Sequence, residues 1–226
     1  IQLCGSGAGC VVNSLSATQL LYTGSSAAIE IMNGATEYVV ENLRINGSSQ
    51  TGAYGIRIGT SAGLESIGRL SNIVIINVAT AGLWLEAVLI SQFDNITVRG
   101  SGGKGVFIDG NSGYDTSCIF NNLRISNSGS IGLHIQGGKH FTFNGGAIEG
   151  SVNEGVKIDG AAATKAKFIQ TWFEDNQHTG GQYQFVINES NSYISLDGVE
   201  FNSPAVEGGG TNKQLNATCS QLHLNQ

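Results

Sequence analysis

The chain has 226 residues, 33 of them glycine and one proline, and carries a formal net charge of −6. That balance leaves no basic footprint for nucleic acid or for an anionic membrane surface. No run approaches the ~18 apolar residues of a membrane span, and no window sustains a helical period. A proline-poor, glycine-punctuated chain instead suits many short strands joined by tight turns.

The chain opens on Ile1-Gln2-Leu3 without an initiator Met, as if in mid-strand, and is expected to be a piece of something longer. The Gly5-Ser6-Gly7-Ala8-Gly9 run resembles a phosphate loop, but Val11-Val12-Asn13-Ser14-Leu15 behind it is no helix start. Cys4 and Cys10 are close enough in sequence to pair. Cys118 sits at an apolar strand position and reads as a buried small hydrophobe.

From Ala28 onward a short figure returns: glycine, apolar, any, apolar, then an acid or amide. It is complete in Gly105-Val106-Phe107-Ile108-Asp109-Gly110, Gly132-Leu133-His134-Ile135-Gln136-Gly137 and Gly155-Val156-Lys157-Ile158-Asp159-Gly160. Weaker copies bring the starts to 28, 55, 82, 105, 132, 155 and 184, spaced by 27, 27, 23, 27, 23 and 29 residues. A unit this short cannot bury its inner face alone and must stack on its neighbours.

Each unit carries a second strand, as in Asn42-Leu43-Arg44-Ile45, Asn72-Ile73-Val74-Ile75, Asn95-Ile96-Thr97-Val98 and Asn122-Leu123-Arg124-Ile125. A third, less regular strand precedes it, around Phe93, Phe120, Phe143 and Phe168. Three strands per turn predict an all-β, right-handed parallel β-helix of seven or eight coils, each coil ~4.8 Å from the next. Phe93, Phe120 and Phe143 should stack inside it. Asn42, Asn72, Asn95 and Asn122 should form an amide ladder at a bend, which would bury the Asn95 sequon. The helix is expected to occupy 1–203, and 204–226 to be a linker and C-terminal tail.

The runs Gly145-Gly146-Ala147-Ile148-Glu149-Gly150-Ser151 and Trp172-Phe173-Glu174-Asp175-Asn176 resemble the rung signature of the pectin-lyase-like superfamily. The likeness is to the branch of phage tailspikes and glycoside-hydrolase-related surface proteins, and the opening Ile1-Gln2-Leu3-Cys4-Gly5-Ser6-Gly7 is similar to an early rung of that branch. The resemblance implies an N-terminal cap lost upstream, an extracellular, cell-surface or virion location, a glycan partner, and a homo-trimer in the full-length protein. It implies no particular activity, because the superfamily holds lyases, hydrolases, epimerases and non-catalytic fibres. Asn-Thr-Asp, Asp-Asp and Gly-His-Gly runs of the polygalacturonase kind are absent, as is an Arg-x-Pro-x-x-Arg run.

Outward positions of the first strand form one column of Glu30, Arg57, Trp84, Phe107, His134, Lys157 and Val186. A parallel column holds Met32, Gly59, Glu86, Asp109, Gln136, Asp159 and Asn188. Aromatic faces stack on sugar rings and charged neighbours hold hydroxyls or carboxylates. Trp84, Phe107, Arg57, His134 and Lys157 are therefore the candidate substrate-binding residues, with Glu86, Asp109 and Asp159 the candidate acids. Asp109 and Asp159 each precede a glycine and read equally as turn formers. A rival acidic column of Glu149, Glu174 and Glu200 is expected on the second strand. The four histidines and four cysteines show no metal-ligand spacing, so no cofactor or metal is expected. The chain is thus expected to bind a polysaccharide and to be a candidate depolymerase, hydrolase or lyase. The other reading is a non-catalytic fibre or adhesin stem whose aromatics serve assembly.

Overall fold

The computed structural model describes residues 12–14, 18–31, 36–48, 54–59, 67–86, 88–110, 116–160, 163–176, 183–202 and 213–225. Cys4, Cys10, Met32 and the glycine-rich run near the N-terminus lie outside them. The described residues form an all-β parallel solenoid of about six turns. Seven or eight were expected, but the outermost repeats supply only part of a turn. At the N-terminal end, Val12–Ser14 pairs antiparallel with Thr18–Leu21 instead of adding a coil.

Two sheets wrap one core. The narrow sheet is the stack of first strands: Ala27–Ile31, Tyr54–Ile58, Ala81–Leu85, Lys104–Ile108, Leu133–Ile135, Val156–Ile158, Tyr183–Asn188 and Lys213–Thr218. Its inward pairs, among them Ile56/Ile58, Leu83/Leu85, Leu133/Ile135 and Val156/Ile158, are at most 1% exposed. Each such side chain contributes ~1.5–3 kcal/mol by leaving water, which a lone repeat could not gather. The repeat's opening glycine is a packing requirement. A Cβ at Gly82 would lie 2.2 Å from Val98 Cγ1, and one at Gly105 2.3 Å from Ile125 Cγ2.

The broad sheet joins the second and third strands, which are one element bent at a corner, as in Gln92–Arg99 and Ile119–Ser126. The corner residue takes the left-handed conformation that Asn tolerates better than most residues. Asn42, Asn72, Asn95 and Asn122 have φ of 55°, 53°, 53° and 54°. Their amides form the expected ladder, with Nδ2-to-Oδ1 distances of 3.0, 3.1 and 3.0 Å. The ladder lies on the outside rather than buried, because a side chain at this turn projects away from the core. The Asn95 amide is exposed, with its Nδ2 donating to Asn72. In the next coils Gly145, Gln170 and Gly198 take over the corner at φ of 66°, 49° and 57°.

Inside the corner, Phe93, Phe120, Phe143 and Phe168 stack at centroid separations of 4.5, 4.7 and 4.6 Å. Cys118 is fully buried beside them. The expected boundary at 203/204 adjoins undescribed residues. Past it, Lys213–Thr218 pairs with Tyr183–Asn188 and Gln221–Asn225 with Tyr193–Asp197, so strands on both sheets occur inside the stretch expected to be a tail.

Candidate functional site

The narrow sheet turns three rows of side chains outward, and its register fixes their order. The central row runs Glu30, Arg57, Trp84, Phe107, His134, Lys157, Val186, one residue per coil. Beside it lies Tyr54, Ala81, Lys104. On the other flank, backbone hydrogen bonds from Glu86, Asp109, Gln136 and Asp159 to the preceding coil stack those four residues as a third row.

Aromatic rings make a continuous file. Tyr54 meets Trp84 edge-on at 4.9 Å between centroids, Trp84 meets Phe107 at 5.3 Å, and Phe107 stacks on His134 at 5.2 Å. Cations sit over this file: the Arg57 guanidinium is 4.7 Å from the Trp84 ring, and Lys104 Nζ is 3.4 Å from that of Phe107. Phe107 is 7% exposed and His134 5%, so the ring surface open to a ligand is that of Trp84 and Tyr54. Phe107 is the base on which they rest. The Trp84 indole N–H is buried and finds no hydrogen-bond partner among the described residues.

The acids differ in their partners. Glu86 Oε2 receives Arg57 at 2.9 Å, while Glu30 reaches the same guanidinium at 3.8 Å. Asp159 is held from two sides, by His134 Nε2 on Oδ1 at 2.6 Å and Lys157 Nζ on Oδ2 at 2.9 Å. Burial alone would raise the Asp159 pKa, but these two bonds outweigh it and hold the carboxyl below its ordinary range. Burial depresses the pKa of His134 despite the opposing pull of Asp159, which favours the neutral imidazole. The Asp159 hydrogen bond raises Lys157. Burial lowers Lys104, against the attraction of Asp109 and Asp159. Lys104, Asp109, His134, Lys157 and Asp159 therefore form one electrostatic cluster around the Phe107–His134 step.

Reading the two columns separately misses the diagonal contact from His134 to Asp159. It also misses Lys104 and Tyr54, which precede the repeat's glycine. An aromatic or a cation just before that glycine was the available signal.

The rival acidic column is corrected. Glu149 and Glu174 are register partners, but Glu174 pairs onward with Asn202, and Glu200 with Trp172. Phe201, not Val199, is the register partner of Phe173, stacking on it at 5.0 Å. That shifts Glu200 out of line with the other two. Glu174 is fixed by Trp172 Nε1 at 3.1 Å and Asn202 Nδ2 at 3.2 Å. Among the described residues no three His, Cys, Asp or Glu converge on a metal-sized site.

No protein family and no curated protein sequence matches the chain. Solved structures do. Tailspike protein 2 of an Escherichia coli O157:H7 bacteriophage superposes with a TM-score of 0.62 at 15% identity, over 91% of this chain and 37% of that one. The enzymatically active domain of bacteriophage tailspike protein 2 gives 0.61 at 15% identity, over 91% and 41%. The A-module of an Azotobacter vinelandii mannuronan C-5 epimerase gives 0.52 at 12% identity, over 90% and 77%. The chain thus spans well under half the length of the tailspike, and what is shared at these identities is the fold.

Proposed function

We propose that this chain is the polysaccharide-engaging solenoid of an extracellular or virion-borne protein of tailspike type, and that the glycan lies along the outer face of the narrow sheet. The observation that carries the reading is the file Tyr54–Trp84–Phe107–His134, flanked by Arg57, Lys104 and Lys157 and by the row of Glu86, Asp109 and Asp159. Half-buried aromatic rings offer apolar faces to sugars, and charged groups of both signs fix hydroxyls and acidic substituents. The likeness of fold to a tailspike and to a mannuronan epimerase supports the same reading. In the intact protein three such solenoids associate with their axes parallel.

The reading extends to cleavage. Asp159, kept ionised by His134 and Lys157, is the general base that takes a proton from the attacking water, and Asp109, two coils away, is the acid that protonates the leaving oxygen. Backbones two coils apart are separated by ~10 Å, which brings carboxyls within reach of the ~6.5–9.5 Å that inversion uses.

The test is a polysaccharide panel. Trp84→Ala should weaken binding about tenfold through lost stacking, and unchanged binding places the glycan elsewhere. Asp159→Asn should keep binding but abolish release of reducing ends or unsaturated sugars. If the parent releases neither from any substrate it binds, the cleavage assignment falls and the protein is a binder. If it binds none, the fibre or adhesin stem is the better description.

A further inference from the structure

A concavity of about 300 Å³ lies on the outer face of the broad sheet over four successive coils. Its floor is the backbone of Phe141, Ala166 and Ile194, whose side chains are buried in the core on the other side of the sheet. Register stacks Thr142, Lys167, Ser195 and His223 in one row across it, and Lys165 and Tyr193 in the next. His140 enters where two residues of Gly138–Glu149 oppose one of Thr164–Ile169, and this bulge with its φ of 62° re-aims the strand at the rim.

The charge here runs against that of the molecule. The chain has 17 acidic and 11 basic residues, yet no carboxylate lines this cavity among the described residues, whereas Lys165 and Lys167 do. Asp197, at the margin, answers Lys167 at 3.2 Å across a pair that is 45% and 38% exposed. Tyr193 is 42% exposed, with Lys165 Nζ 5.1 Å from its ring centroid. An open aromatic ring beside an ammonium group, with hydroxyl and imidazole groups around it, matches a sugar that bears a negative charge.

We propose that this cavity is a second glycan site, separate from the narrow-sheet face, and that it takes a polysaccharide carrying carboxylates. Tyr193 receives a sugar face, Lys165 and Lys167 receive the carboxylates, and His140, Ser195 and His223 bond hydroxyls. The inference does not rest on the narrow-sheet reading, since the two faces belong to different sheets and share no residue.

The experiment uses the Trp84→Ala chain, so that the narrow-sheet face is weakened, with polymannuronate oligosaccharides as the probe and calorimetry at low salt as the readout. Binding should persist in this background, weaken with added salt, and fall about tenfold in Lys165→Gln/Lys167→Gln, the loss expected of two exposed ion pairs. Lys165→Arg/Lys167→Arg should restore it, which a general loss of fold would not allow, and thermal unfolding of each variant checks that fold directly. Loss of all binding in Trp84→Ala alone would overturn the proposal, as would unchanged binding in the double Gln variant. Equal binding of neutral dextran oligosaccharides would overturn the charge assignment. Tighter binding of single-stranded DNA or of anionic lipid vesicles than of the uronate would make the partner another class and equally overturn it.

Discussion

His134 Nε2 and Asp159 Oδ1 meet 2.6 Å apart across one coil, although 25 residues separate them in the chain. Their meeting follows from the solenoid: His134 stacks beneath Lys157, and Asp159 lies two positions farther along the same strand line. Stacking converts a repeat period into a diagonal acid–imidazole contact, with Lys157 closing the other side of the carboxylate.

This contact makes stability depend on pH in a defined direction. Folding lowers both pKa values, so the unfolded chain takes up these protons first, near pH ~6.5 for His and ~3.9 for Asp. Where the unfolded state binds more protons, stability rises with pH. The thermal midpoint should therefore fall as pH drops below ~6.5, and fall further below ~4. His134→Gln should flatten the first decline and Asp159→Asn the second. An NMR titration of the His134 ring should give a midpoint below ~6.5, and a midpoint above that value would contradict the burial argument.

The surroundings of two glycines, Gly145 and Gly82, predict substitutions of opposite sign. Gly145 sits at φ 66°, a Cβ added there would meet nothing within 4 Å, and it occupies the register position of Asn122. Gly145→Asn should be neutral or stabilising, because it extends the amide ladder by one rung, whereas Gly145→Ala should cost ~1 kcal/mol of left-handed strain. Gly82→Ala should cost more, ~1–3 kcal/mol, by driving a methyl into Val98. Denaturant midpoints of the three variants check the order.

The phenylalanine file predicts a large core effect. Phe120 is fully buried between Phe93 and Phe143, and Phe120→Ala should lose ~3–5 kcal/mol of stability by chemical denaturation. A loss smaller than ~1 kcal/mol would show that the file is not continuous in solution.

Much of this architecture was legible because the side-chain alternation and the repeat are both strict. Gly-apolar-x-apolar copies place Ile56, Leu83, Val106 and Leu133 in one inner row, and the register bears this out. The Asn and Phe rows were legible because identical residues recur one coil apart. Three features were not. Whether Asn95 faces in or out depends on the sign of φ at the corner, which the residue type alone does not settle. Glu200 was misplaced because Gly198-Val199-Glu200 imitates the Trp172-Phe173-Glu174 pattern, although Gly198 is the corner itself and Phe201 the residue stacked on Phe173. The Asp159 contact joins two rows, and a reading along single rows does not cross between them.

The proposed trimer is open to a direct check. The intact parent should sediment as a trimer at micromolar concentration, and a monomer there would remove that assembly.

The claim that a glycan lies on the narrow sheet is tested most directly by the light emitted from that face. The chain has two tryptophans, and Trp172 belongs to the broad sheet. Trp172→Phe leaves Trp84 as the sole indole reporter. With Lys165→Gln/Lys167→Gln added so that the broad-sheet cavity contributes little heat, titrating this variant with a polysaccharide that calorimetry shows to bind should shift or quench Trp84 emission, saturating with the same midpoint as the heat. Emission unchanged through a saturated heat curve would contradict the account.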